Sequence, residues 1–169
     1  MTRTLLIGLP LLALAAVLQS TVLAAFRVLA GGGLDLVLVL TLGWTLAGDW
    51  QGGIVWGFLG GLFLDLLSGG PLGAQALALV LTAYLASLTE GQFWRSHVLL
   101  PLAAGLTASA AYHLMMITLL TTAGHAVDLA GALTGVMLPS VLIDTLAMLP
   151  AYHLLRGLHA VVYPEPVKR

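Results

Sequence analysis

The sequence has no cysteine, which excludes disulfide frameworks, thiolate nucleophiles and thiolate metal sites. It is also poor in charge. Six basic and seven acidic residues make up 8% of the 169, where a soluble domain carries about 25%. The formal net charge of −1 supplies no basic face for nucleic acid. Neither HExxH, GxSxG nor a Walker loop occurs, and no histidine precedes His97. No serine stands in a local motif that also supplies a histidine base. With neither a nucleophile nor a metal site to assemble, no catalytic residue, metal or cofactor is expected, and the chain does not read as an enzyme.

What is present is apolar: 60% of residues are hydrophobic and the mean hydropathy is +1.05. So few charged side chains cannot cover a water-soluble surface, so lipid must be the solvent for most of the chain. Charged and turn-forming residues divide it into six apolar runs: 5–25, 34–47, 53–67, 72–88, 98–120 and 133–155. The expected fold is an all-α integral membrane protein, a compact bundle of about six transmembrane helices forming one polytopic domain over 1–169. Arg3 followed by the first run has the look of a signal peptide. That run is longer than a typical signal core and more apolar runs follow it, so it reads as a retained span.

Runs two and three are short. Each covers only about 22 Å of a ~30 Å hydrocarbon core, so the pair reads either as two full spans or as a re-entrant hairpin. Trp44, Trp50 and Trp56 suit an interfacial belt around the Gly48–Gly52 turn between them. With six spans, Arg3, Arg95, Arg156, Lys168 and Arg169 fall on one side and Arg27 on the other. That bias predicts cytoplasmic N- and C-termini. Loops are short, one of them covering Glu90 to His97, and the tail carries Pro164, Glu165 and Pro166.

Within the runs, Gly53, Gly57, Gly61 and Asp65 recur every four residues, and Gly60 widens the same helix face. Such a flat stripe fits packing against a neighbouring span of the chain, or a groove for a partner's transmembrane helix. Asp65, inside an apolar run, must face protein or water. It is placed to clamp the turn through Ser68, Gly69, Gly70, Pro71 and Gly73 by accepting backbone N–H bonds, or to pair with Arg27. Asp144 lies near the middle of run six, on a face with Ser140, Met148, Tyr152 and Arg156. Pro139 and Pro150 should kink that run and free backbone carbonyls. Asp144 is either held by hydroxyls of neighbouring helices or part of a relay with His113. His113, Tyr112, Asp144 and Tyr152 together are a candidate intramembrane polar pocket. Gln19, Ser20 and Thr21 form a polar knot in run one, of the kind that hydrogen-bonds across helices. The Ala-Tyr-His-Leu tetrapeptide occurs at both Tyr112-His113 and Tyr152-His153, but the surrounding residues do not repeat.

The stretch Gly57-Phe58-Leu59-Gly60-Gly61-Leu62-Phe63-Leu64-Asp65-Leu66-Leu67-Ser68-Gly69-Gly70-Pro71-Leu72-Gly73 resembles the rod shape-determining protein MreD family. The likeness continues through Ala76-Leu77-Ala78 to Ala83-Tyr84-Leu85, and includes Leu18-Gln19 and Leu34-Asp35-Leu36. The resemblance implies a non-catalytic scaffold subunit of the bacterial cell-elongation complex. Its implied partners are the transmembrane helix of MreC and, directly or through it, RodA and a class B penicillin-binding transpeptidase. MreB filaments and membrane lipid are further implied partners. The family's layout is similar to the substrate-binding subunits of energy-coupling vitamin transporters. A small-molecule binding subunit of a transporter is therefore the alternative reading, with an intramembrane enzyme a distant third.

Overall fold

A computed structural model describes residues 2–88 and 99–163, all helix and connecting turns with no strand among the described residues. The Glu90–His97 loop, Arg95, and the tail with Pro164, Glu165, Pro166, Lys168 and Arg169 lie outside them. Six helices follow in order. α1 covers residues 2–30, α2 Leu36–Leu46, α3 Trp50–Ser68, α4 Ala74–Ser87, α5 Leu99–Thr122 and α6 Leu129–Val162. By length and composition α1, α3, α5 and α6 are each able to cross a membrane, while α2 and α4 are shorter apolar helices.

The helices alternate in direction. At the proximal end the start of α1 meets the α2–α3 turn and the end of α6: the Thr4 hydroxyl donates to Asp49 Oδ2 at 3.2 Å and lies 2.6 Å from the Tyr163 hydroxyl. At the distal end Arg27, Ser68 and Gln75 line one cleft. The chain therefore passes from the distal to the proximal end through residues 31–47 and back through α3. A re-entrant hairpin would have turned back before reaching the proximal end.

α2 departs most from expectation. At 11 residues it is about 17 Å long and begins inside the bundle, not at its surface. Residues 31–35 make up the remaining path as non-helical backbone running inward. Such backbone survives at membrane depth only where protein surrounds it. Here Gly31, at φ +77°, ends α1, and Gly32 lies so close to Pro139 and the Ser140 amide that any side chain would collide. α2 is apolar on all sides, and Val37, Leu38, Leu42, Thr41 and Thr45 are fully enclosed by the other helices.

Helix ends differ from the apolar runs where a polar cap sets the boundary. The Asp49 carboxylate accepts from the Gly52 amide at 2.8 Å, so α3 begins at Trp50, and Trp50 and Gln51 join its first turn, not the loop. Asp128 caps Ala130 at 3.2 Å and starts α6 ahead of the apolar run. α6 then continues through Pro150 and past Arg156 to Val162. A wide π turn over Ala132–Met137 precedes Pro139 and accommodates its missing N–H. The expected tryptophan belt is only partly a belt. Trp44 and Trp56 stack inside the bundle with ring centroids 4.4 Å apart, and Trp50 alone of the three faces outward. Their indole N–H groups find internal acceptors, Asp49 Oδ2 at 3.0 Å and the Thr4 carbonyl at 3.2 Å, which makes burial affordable.

Candidate functional site

The start of α2 leaves backbone donors without intrahelical partners. Side chains from two other helices supply acceptors. Gly33 N–H donates to Ser140 Oγ at 3.0 Å, Asp35 N–H to Asp144 Oδ1 at 2.8 Å, and Val37 N–H to Gln19 Oε1 at 2.9 Å. Gln19 belongs to a π turn in α1 (Gln19–Leu23), which turns its amide towards α2. The same amide donates through Nε2 to Asp35 Oδ1 at 3.1 Å. Ser20 and Thr21, expected to bond across helices with it, instead turn back onto the Ala16 and Val17 carbonyls of their own helix. A hydroxyl one turn along a helix has that acceptor always within reach.

Asp35 is the centre of this knot and is 2% exposed. Arg27 Nη2 lies 2.6 Å from its Oδ1 and His113 Nε2 lies 3.3 Å from its Oδ2. His113 Nδ1 sits 2.9 Å from the Ser109 carbonyl, and Ser109 Oγ donates to Asp144 Oδ2 at 2.6 Å. Asp144, 1% exposed, is thus held by a serine hydroxyl and a backbone amide, as one sequence reading had it. The direct His113 contact is with Asp35, not with Asp144. Asp35, His113 and Asp144 nevertheless bring ligand-type atoms within 4.8 Å of one another, a spacing that could hold a metal ion. The Arg27 guanidinium already occupies one oxygen of Asp35, so a cation entering there would meet a fixed positive charge. The arrangement fits a structural charge network better than a metal centre.

Tyr112 is buried beside the knot and donates to Gln75 Oε1 at 3.2 Å. Tyr152 is not part of it. Eight residues beyond Asp144, it lies about 12 Å farther along α6 and lines a cleft at the proximal end. The four residues of the candidate polar pocket are therefore split, and the three near Asp35 are enclosed side chains bonded to their neighbours.

Asp65 forms a second, separate station. Its carboxylate accepts from the Gly73, Gln75 and Ala76 amides at 3.0, 2.9 and 3.2 Å, which ties the α3–α4 turn to the start of α4. Gly69 and Gly73 within that turn adopt φ of +66° and +88°. Asp65 does not pair with Arg27, whose charge is taken by Asp35. The glycine stripe is covered by the chain's own helices. Gly61 abuts the Ala76 backbone and Gly57 the Leu79 carbonyl group, both in α4. Gly60 faces Val37 and Leu12, and Gly53 faces Thr45. This stripe offers no open groove to a partner.

Sequence reasoning passed over Asp35, Ser109 and Gln75. A signal existed for Asp35: a run too short to span, with a carboxylate as its second residue and three glycines just before it, implies a helix that starts below the surface.

A family model described as rod shape-determining protein MreD matches residues 1–162. No curated protein and no solved structure matches the chain. The match runs through every described helix, the polar knot and the Asp65 turn, and the chain belongs to the MreD family of rod shape-determining membrane proteins.

Proposed function

We propose that this chain is a non-catalytic scaffold in the bacterial inner membrane that binds the transmembrane helix of MreC. Through MreC, or directly, it supports RodA and its class B transpeptidase partner in peptidoglycan synthesis during elongation, with MreB filaments on the cytoplasmic side. The observation that carries this reading is the family match over residues 1–162. Two features of the fold support it. The ionisable side chains inside the described bundle are engaged in holding helices together, Arg27 with Asp35, and Asp144 with the Asp35 amide and the Ser109 hydroxyl. Almost all of the chain lies in helices, which leaves lipid-facing helix surface as the main place for a partner. Both described ends lie at the proximal end, which this reading places on the cytoplasmic side.

Affinity purification of the tagged chain from native membranes tests the proposal. MreC is expected among the co-purifying proteins, with RodA and the transpeptidase present at lower yield. A preparation that brings down an energy-coupling transporter module and no elongation protein would refute it.

A further inference from the structure

Most charged side chains inside the described bundle have an internal use. Asp35 and Arg27 pair, Asp144 and Asp65 accept backbone amides, and Asp49 and Asp128 cap helices. Arg156 is the exception. It is exposed and has no hydrogen bond or ion pair among the described residues. It nevertheless belongs to a helix apolar enough to cross a membrane, about 9 Å before that helix ends at Val162. An arginine at that depth needs an anion or a route to the headgroup layer.

A cleft of about 410 Å³ lies beside it, between the α2–α3 turn and the last three turns of α6. Arg156, His159, Tyr152 and Tyr163 supply its polar lining, and Gly48 leaves its rim without a side chain. The His159 ring is fixed against Trp44 at 5.4 Å and Tyr163 at 5.1 Å. Outward-facing Trp50, with His159 and Tyr163, marks this end as headgroup level, where amphipathic rings settle. Asp49, the nearby carboxylate, does not line the cleft, and its oxygens are occupied by Thr4, Trp44 and the Gly52 amide.

We infer that this cleft binds the phosphate of an anionic phospholipid headgroup, with the Arg156 guanidinium as its principal ligand. Phosphate oxygens match the guanidinium fork, and the His159 ring and the Tyr152 hydroxyl add donors around it, while the Tyr163 proton is held by Thr4. The site is independent of the elongation role and is tested without it. Native mass spectrometry of the purified full chain, released from micelles containing phosphatidylglycerol or phosphatidylcholine, reads retained lipid directly. Wild type should hold phosphatidylglycerol in preference to phosphatidylcholine, and Arg156→Gln should lower that retention about fivefold. Arg156→Lys should fall between them, and His153→Gln, at an exposed position on the same helix outside the cleft, should behave as wild type. Because Arg156 makes no bond among the described residues, Arg156→Gln should remain monodisperse with an unchanged unfolding temperature. Equal phosphatidylglycerol retention by wild type and Arg156→Gln would overturn the inference. So would displacement of the lipid by inorganic phosphate at equal concentration, which would mark a free-phosphate site instead.

Discussion

Asp144 and Arg156 both belong to α6, about three helical turns apart, and meet opposite fates. Asp144 is wholly enclosed, with both oxygens engaged by Asp35 N–H and Ser109. Arg156 is exposed beside an open cleft and has no hydrogen bond or ion pair among the described residues. Facing and depth together account for the difference, since twelve residues turn Arg156 about 120° round the helix from Asp144. Far from water, an ionisable group without partners costs several kcal/mol, so the fold surrounds it. Near the headgroups, a long cationic side chain reaches polar surroundings without help from the protein, and its binding capacity stays available.

The largest expected effect comes from breaking the enclosed region at its centre. Asp35→Ala removes the shared partner of Arg27 and His113 and one acceptor of Gln19. It should cost about 3–5 kcal/mol, seen as loss of accumulated protein or as early thermal unfolding in detergent. The double variant Arg27→Gln/Asp35→Asn should be less damaged than the two single losses combined, since neither charge is then left alone. Additive losses would show that the ion pair is incidental.

Asp65→Ala comes next. Three backbone amides lose a charged acceptor, and a destabilisation of about 2–3 kcal/mol is expected in the same unfolding assay. Gly61→Leu should cost about 1–3 kcal/mol by forcing α3 away from the Ala76 backbone. Its effect should appear in the isolated chain, because the stripe is an internal contact. A fully stable Gly61→Leu protein that merely lost MreC would restore the partner-groove reading. Asp144→Asn keeps one acceptor and should cost only about 1–2 kcal/mol. The smallest effect belongs to the open region, where Arg156→Gln should change stability by less than about 0.5 kcal/mol. A large loss there would erase the distinction between the two sites.

Much of this was legible in the residues. The Asp65 clamp could be read because a carboxylate, a Ser-Gly-Gly-Pro turn and a following glycine are adjacent in the chain, and local hydrogen bonding needs no long-range information. Gln19 could be singled out as polar glue, but not its partner, since Asp35 lies across a glycine turn and reaches it only when α2 enters the bundle. Arg27 read as a loop cation because it follows the apolar run. The structure turns its side chain inward to Asp35. Tyr152 and Asp144 share a helix face, yet the helical rise separates them too far to share a site.

Composition and run lengths alone determined that the chain lives in lipid as a helical bundle, because so few charges cannot clothe a soluble surface and unpaired backbone cannot stand in hydrocarbon. The local order of residues around Asp65 offered the turn clamp as one of two readings, and the structure chose it over pairing with Arg27. Only the tertiary structure decided that α2 begins at depth, that Asp35, Arg27, His113 and Asp144 form one network, and that Arg156 stands outside it. Those outcomes depend on contacts between residues up to 109 positions apart in sequence, and such pairings are set by how whole helices pack, not by any local preference.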